Sequence, residues 1–271
     1  MAEGYVLGTH SQERERLRRQ HELWLPAARE AWTRAGLGPG MRVLDLGAGP
    51  GDCSLELARA VGPSGRVLAL EQSVAYVRQA RQAAEREGLP WLEARRHDLT
   101  ADSPLGEEGF DLIWCRWVAM FLSDLDPLLR LLERSLRPGG RVVAHEYVHW
   151  ETFRLHPGGE AVARFGRAVM DSFRAAGGDP NVNRRLPALL VERGLRIEDL
   201  RPLPVLGRGG DRWARWLERF VRIYGRELIR QGRWSEEEAL AANDEISGAR
   251  EDSGSFWVGP TVLELQASRP G

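Results

Sequence analysis

Residues 41–58 read Met-Arg-Val-Leu-Asp-Leu-Gly-Ala-Gly-Pro-Gly-Asp-Cys-Ser-Leu-Glu-Leu-Ala, and the order of these residue types decides the fold. Val43 and Leu44 open an apolar run of the kind a buried strand needs. Asp45 closes it, and glycines follow at alternate positions, Gly47, Gly49 and Gly51. Leu55, Leu57 and Ala58 then resume an apolar spacing suited to a helix. Strand, glycine turn and helix in that order make the nucleotide-type pocket of an open α/β sheet. Glycines allow the tight turn and let a ligand approach bare backbone. The helix N-terminus beyond them offers unpaired N–H groups to an anionic ligand group. The alternative is a helix-entry turn that holds nothing.

Spacing narrows the ligand. A dinucleotide fingerprint needs a third glycine at position 52, where this chain has Asp, and the glycine comes one residue early at Gly51. The pattern Asp45-x-Gly47-x-Gly49-x-Gly51 resembles that of the class I S-adenosylmethionine (SAM)-dependent methyltransferases, small-molecule type. Further along, Leu136-Arg-Pro-Gly-Gly before the Val-rich stretch 141–148 is a second, well separated resemblance to the same family. Together they imply an α/β fold with a doubly wound, mostly parallel seven-stranded sheet and an α-helical cap from the N-terminus and two insertions. They imply SAM as cofactor, with S-adenosylhomocysteine (SAH) as product.

The next strand ends support that reading. Arg66–Leu70 forms a second buried strand ending in Glu71-Gln72-Ser73, with Glu71 lying 24 residues after Gly47. An α/β nucleotide site places its ribose-binding carboxylate near there, although an acidic helix cap would look the same. A helix over 73–87 stops at Gly88, and Trp91–His97 reads as a third strand nearer the sheet edge. In the family, an acidic residue at that strand's end accepts from the adenine amino group. The next backbone amide meets the ring. Asp98 and Leu99 match those positions, while a simple turn cap remains the other reading of Asp98. Phe110–Cys115 is the fourth strand, and its carboxyl end places Cys115, Arg116 and Trp117 beside the cofactor. The expected cofactor set is therefore Tyr5, Asp45, Gly47, Ala48, Gly49, Gly51, Glu71, Gln72, Asp98, Leu99, Cys115, Arg116 and Trp117.

Four regions follow in order. Residues 1–36 form a helical lid, with Pro26 starting a second helical segment and Tyr5, Gln12, Arg16 and Gln20 reaching the ligand by analogy with the family. Residues 37–148 form the SAM-binding core. Residues 149–195 form a helical cap insertion. Residues 196–271 finish the sheet around a second helical insertion, 211–250. Asp126 caps a helix from 125 to 136 with Pro127 at its first position. Residues 256–258 and 261–267 together provide the last strand. Trp213, Trp216, Phe220 and Tyr224 recur at three- and four-residue steps, as cap-to-core packing or as a substrate wall.

Composition sets outer bounds. With 271 residues, 42% hydrophobic and 28% charged, the chain has the balance of a globular protein, and no apolar run approaches the ~18 residues of a membrane span. The expectation is a cytoplasmic protein with no membrane partner. Cys53 and Cys115 have no partner suggested by spacing, which fits a reducing compartment. All 38 basic residues are arginine, which removes Schiff-base and P-loop lysine chemistry. The formal charge of −1 argues against a dedicated nucleic-acid surface, whose mark would be a basic stripe across the cap.

Methyl transfer from a sulfonium needs alignment and a dry pocket more than acid–base groups. An alcohol or phenol acceptor still gains from a base, and His145, Tyr147 and His149 share one face of the fifth strand by its period of two. Two histidines and Glu146 supply no third ligand at a fixed spacing, so no metal is expected. The chain lacks the Asn-Pro-Pro-aromatic loop of base-nitrogen methylation, the Pro-Cys nucleophile of pyrimidine carbon methylation and the paired-glutamate loop of arginine methylation. The reading is a small-molecule O-, N- or C-methyltransferase, with ten tryptophans favouring aromatic, quinone or secondary-metabolite acceptors. An RNA or protein methyltransferase and a non-catalytic SAM-binding module are the alternatives, and a homodimer is left open.

Overall fold

The computed structural model describes residues 11–271, and for residues 11–13 the backbone alone. Tyr5 and Gln12 therefore lie outside the described side chains. The first helix, α1 (Ser11–Arg34), runs unbroken through Pro26, contrary to the expected restart there. The neighbouring turns and buried packing at Trp24, Ala28 and Trp32 carry it across the proline. After it come β1 (Arg42–Leu46), α2 (Asp52–Val61), β2 (Arg66–Glu71), α3 (Val74–Arg86), β3 (Leu92–Arg96) and β4 (Phe110–Arg116). Next are α4 (Asp126–Ser135) and the long β5 (Leu136–His149). Leu125 rather than Asp126 occupies the N-cap position of α4; the Asp126 carboxylate pairs instead with Arg130 and Arg193.

These strands build a seven-stranded sheet in the order β3-β2-β1-β4-β5-β10-β7, where β7 is Arg196–Leu203 and β10 is Thr261–Ser268. Neighbours from β3 to β5 pair in parallel, and β10 lies antiparallel between β5 and β7. This is the expected doubly wound sheet. Strand alternation sends Val43, Val67, Leu112 and Trp114 into one apolar layer, beside Trp32 and Leu57. Leu44, Leu68 and Ile113 enter the other, which continues into the cap. Both faces of a parallel sheet are covered, which is why its strands read as near-continuous apolar runs.

The insertions contain α5 (Glu160–Ala175), α6 (Leu186–Glu192), α7 (Arg212–Arg230) and α8 (Glu236–Glu251). A second sheet was not anticipated. β6 (Arg154–His156), β8 (Leu206–Arg208) and β9 (Phe256–Val258) pair antiparallel in the order β6-β9-β8. Residues 256–258 thus leave the last strand of the main sheet and join β6 of the first insertion to β8, which precedes the second. Three-residue strands carry too little periodicity to be read from sequence. No described helix is long and apolar enough to cross a membrane.

Candidate active site

The glycine loop is built at the carboxyl end of β1. Gly47 and Gly51 have φ of 63° and 95°, in the left-handed region where a side chain is strained. A Cβ on Gly47 would lie 2.3 Å from Val118, and one on Gly51 would lie 2.8 Å from Ala80 of α3. The loop is therefore pressed between two neighbours and needs bare backbone at both. Beneath it, Asp45 is buried and accepts from Ser54 Oγ at 2.6 Å. Burial pushes its pKa up to about 7, against the pull of the Ser54 hydroxyl and the charge of Arg116.

Glu71 closes the loop. Its Oε2 accepts from the Gly49 amide at 2.9 Å and its Oε1 from the Ser73 amide at 2.8 Å. The carboxylate is thus locked between the loop and the start of α3, and burial raises its pKa despite those amides. Asp98 follows β3, and its Oδ1 accepts from the Thr100 amide and hydroxyl at 2.9 and 2.7 Å. Those bonds hold its pKa below the usual carboxylate value. Asp98 is a turn cap, and it also lines the cavity above the strand ends.

A cavity of about 640 Å³ opens above these strand ends. Asp45, Gly47, Ala48, Gly49, Glu71, Gln72, Asp98, Leu99, Arg116 and Trp117 all line it. Two described members of the expected set do not. Cys115 points to the opposite face of β4 from Trp114 and Arg116, where its Sγ lies 3.7 Å from Glu146 Oε1. Gly51 is the N-cap of α2 and sits under the loop against Ala80.

The three residues expected as bases separate. Tyr147 lines the cavity, stacked on Trp117 at 5.7 Å between ring centroids. Its phenol is pushed above its ordinary pKa by burial. His145 is fully buried away from the cavity, with Nε2 3.4 Å from Glu264 and its ring 4.8 Å from Trp114. Desolvation lowers its pKa, and Arg34 of α1 covers this level by gripping both Glu264 oxygens at 2.6 Å. His149 is 53% exposed and 3.6 Å from Glu151, where β5 leaves the sheet. Neither histidine is a base for this cavity. Alternation names the face of a strand but not what covers it.

Other residues reach the site that the strand ends did not assign to it, among them His21, a weaker base candidate from the N-terminal helix. His21 of α1 lines the cavity, and its Nδ1 accepts from Arg116 Nη2 at 3.4 Å, so its ring hydrogen lies on Nε2. Burial, with Arg116 beside it, pushes its pKa down to about 4. Glu146 is fully buried, and its Oε1 accepts from the Val118 and Ala119 amides at 2.6 and 2.9 Å. Burial pushes its pKa up to about 7. These bonds fix the residue before them: Trp117 has φ of 53°, alone among described non-glycine residues in being positive. A carboxylate inside the apolar run Val142–Val148 was the available clue to Glu146. The opposite wall of the cavity is aromatic, from Phe121, Trp150, Phe173, Trp216 and Phe220. Among the described residues no three His, Cys, Asp or Glu side chains gather as a metal site.

Residues 37–219 match the profile of a family described as a methyltransferase domain. The chain is 30% identical over 131 residues to the ubiquinone/menaquinone biosynthesis C-methyltransferase of Vibrio vulnificus, covering 47% of this chain and 48% of that one. It is 34% identical over 125 residues to the 2-phytyl-1,4-naphtoquinone methyltransferase of Synechococcus elongatus, covering 45% and 51%. The chain spans about half the length of the curated relatives it matches. Its fold is similar to geranyl diphosphate C-methyltransferase from Streptomyces coelicolor A3(2), with a TM-score of 0.58, 18% identity and coverage of 98% and 89%.

Proposed function

The chain belongs to the methyltransferase-domain family and has the class I fold, and from that premise we propose that it transfers the methyl group of SAM to a small, mainly apolar acceptor bearing an aromatic ring. One observation carries the reading: a single cavity is carboxylate- and glycine-lined on one wall and aromatic on the other. Glu71, held by two amides, presents acceptors to two vicinal ribose hydroxyls. Asp98 meets the adenine amino group, with Leu99 against the ring. Asp45 faces the ammonium of the methionine part, and the ligand's charge favours its ionised form. The acceptor lies against Trp117, Tyr147 and Phe220. We divide the chain accordingly into a lid (1–36), a core (37–148) and a cap drawn from 149–195 and 211–250, acting in the cytoplasm, where the two free buried cysteines stay reduced.

Transfer is an in-line displacement: an electron pair of the acceptor, a lone pair on oxygen or nitrogen or a π pair on a ring carbon, forms the bond to the methyl carbon as the C–S bond breaks and its electrons return to sulfur. Any acceptor proton leaves to solvent at the cavity mouth after transfer, because no described wall residue is a strong base. Tyr147 holds its proton, and His21 offers Nε2–H as a donor. Alignment and exclusion of water carry the rate. Quinone C-methyltransferases among the relatives support an acceptor of this kind.

Thermal unfolding tests the cofactor assignment. SAM or SAH raises the melting temperature at 1 mM and NADH does not; a shift with NADH alone overturns the reading.

A pH titration tests Asp45. With a folded pKa of about 7, the free protein keeps Asp45 largely protonated at pH 6 and largely ionised at pH 8. A cationic ligand group binds the ionised form, so the SAH dissociation constant rises roughly tenfold from pH 8 to pH 6. Calorimetry across that range reads the slope, and Asp45→Asn flattens it. An unchanged slope in Asp45→Asn removes Asp45 from this role.

A further inference from the structure

The outer face of α7 carries Arg212, Arg215, Arg219, Arg222, Arg226 and Arg230 at steps of three and four residues. They form one stripe along a helix roughly 28 Å long. All are exposed except Arg219, which is half-buried. Arginines elsewhere on this surface commonly sit against carboxylates: Arg59 on Glu56 and Glu87, Arg66 on Glu93 and Glu107, Arg193 on Asp126 and Glu133. On the stripe only Arg230 does, with Glu227. The remaining acid of α7, Glu218, is buried and held by Arg250 of α8. Among the described residues, no carboxylate lies in ion-pair range of the other five arginines. A protein of charge −1 thus concentrates unneutralised cations on one helix.

We propose that the α7 stripe docks the protein onto an anionic lipid surface. A guanidinium row matches phosphate-bearing headgroups, which attract exposed basic residues over a Debye length. Two features favour lipid over nucleic acid. The aromatic residues of α7, Trp213, Trp216, Phe220 and Tyr224, turn inward, so no exposed ring lies along the stripe for base stacking. β8, which packs on α7, instead offers Leu206, 57% exposed on the edge strand. An exposed apolar residue on a strand packed against the cationic helix suits a headgroup boundary. The inner face of the same helix lines the cavity through Trp216 and Phe220, so docking would bring the aromatic wall close to a lipid-dissolved acceptor. That last step rests on the methyl-transfer reading; the docking does not. The sequence reading expected no membrane partner, and the stripe departs from it.

The test is co-sedimentation of the full chain with phosphatidylcholine vesicles, with or without 30% phosphatidylglycerol. The chain is expected to bind the anionic vesicles only, and to be released by 0.5 M NaCl. Replacing Arg219, Arg222 and Arg226 together by Gln lowers partitioning on the order of a hundredfold. The same variant keeps the parent's melting temperature and its SAH dissociation constant by calorimetry. Equal binding by parent and variant, no binding to anionic vesicles, or tighter binding to a 30-nucleotide RNA than to those vesicles overturns the proposal. Loss of SAH binding in the parent overturns the methyl-transfer reading and leaves the vesicle result standing.

Discussion

Glu71→Ala is expected to weaken SAH binding on the order of a hundredfold. The carboxylate is the acceptor proposed for two ribose hydroxyls, and each hydrogen bond to a charged group contributes about 1.5–3 kcal/mol. The change also removes the partner of the Gly49 and Ser73 amides, so the glycine loop loses its tie to α3. Two losses therefore add at one residue: direct contact and preorganisation of the loop. Glu71→Gln separates them, because the amide oxygen still accepts from one backbone N–H. It should recover part of the affinity and most of the melting temperature. Calorimetry with SAH reads both variants, and parent-like affinity in Glu71→Ala removes Glu71 from the ribose role.

Glu146→Ala should lower stability by about 2–4 kcal/mol, a shift of several degrees in melting temperature. Two amides, a half-buried one at Val118 and a buried one at Ala119, lose their acceptor, and a left-handed Trp117 costing about 1–3 kcal/mol loses what holds it. Because Trp117 forms the junction of Tyr147, Trp24 and Arg116, the cavity wall loosens with it. Glu146→Gln keeps an acceptor for those amides and removes a buried group whose ionisation above pH 7 opposes folding. The sign follows from the raised pKa: the native state binds more protons between the unfolded value of 4.5 and about 7, so this residue's contribution falls as pH rises through that window. The Gln variant should therefore match or exceed the parent in melting temperature at pH 8. If Glu146→Ala melts like the parent, the clamp is not needed to hold Trp117.

The strand-end half of the cavity was legible because each of its parts is local. Asp45, Glu71 and Asp98 stand at or next to the ends of strands whose apolar runs can be read directly, and the ends of a parallel sheet converge by construction. The aromatic half was not. Phe121, Trp150, Phe173, Trp216 and Phe220 come from four separate segments, and only the packing of the insertions brings them together. Periodicity placed Trp216 and Phe220 on one face of α7 without choosing between packing and substrate wall; they pack against the core and also line the cavity. His145 failed for a complementary reason. Its strand face was read correctly, but the Arg34–Glu264 contact that seals that level joins residues 230 positions apart. No window along the sequence contains both.

The strand order has a bearing on synthesis at the ribosome. β7 pairs with β10 and with no other described strand, and β10 sits between it and β5. A growing chain releases β7 well before β10, with α7 and α8 in between. Until β10 emerges, β5 has an open edge and α1 has no Glu264 on which to anchor Arg34. The core that holds the glycine loop can assemble early, whereas the end of α1 and the sheet edge wait for one late strand. For a nascent chain, that interval is when an unpaired edge most needs a chaperone.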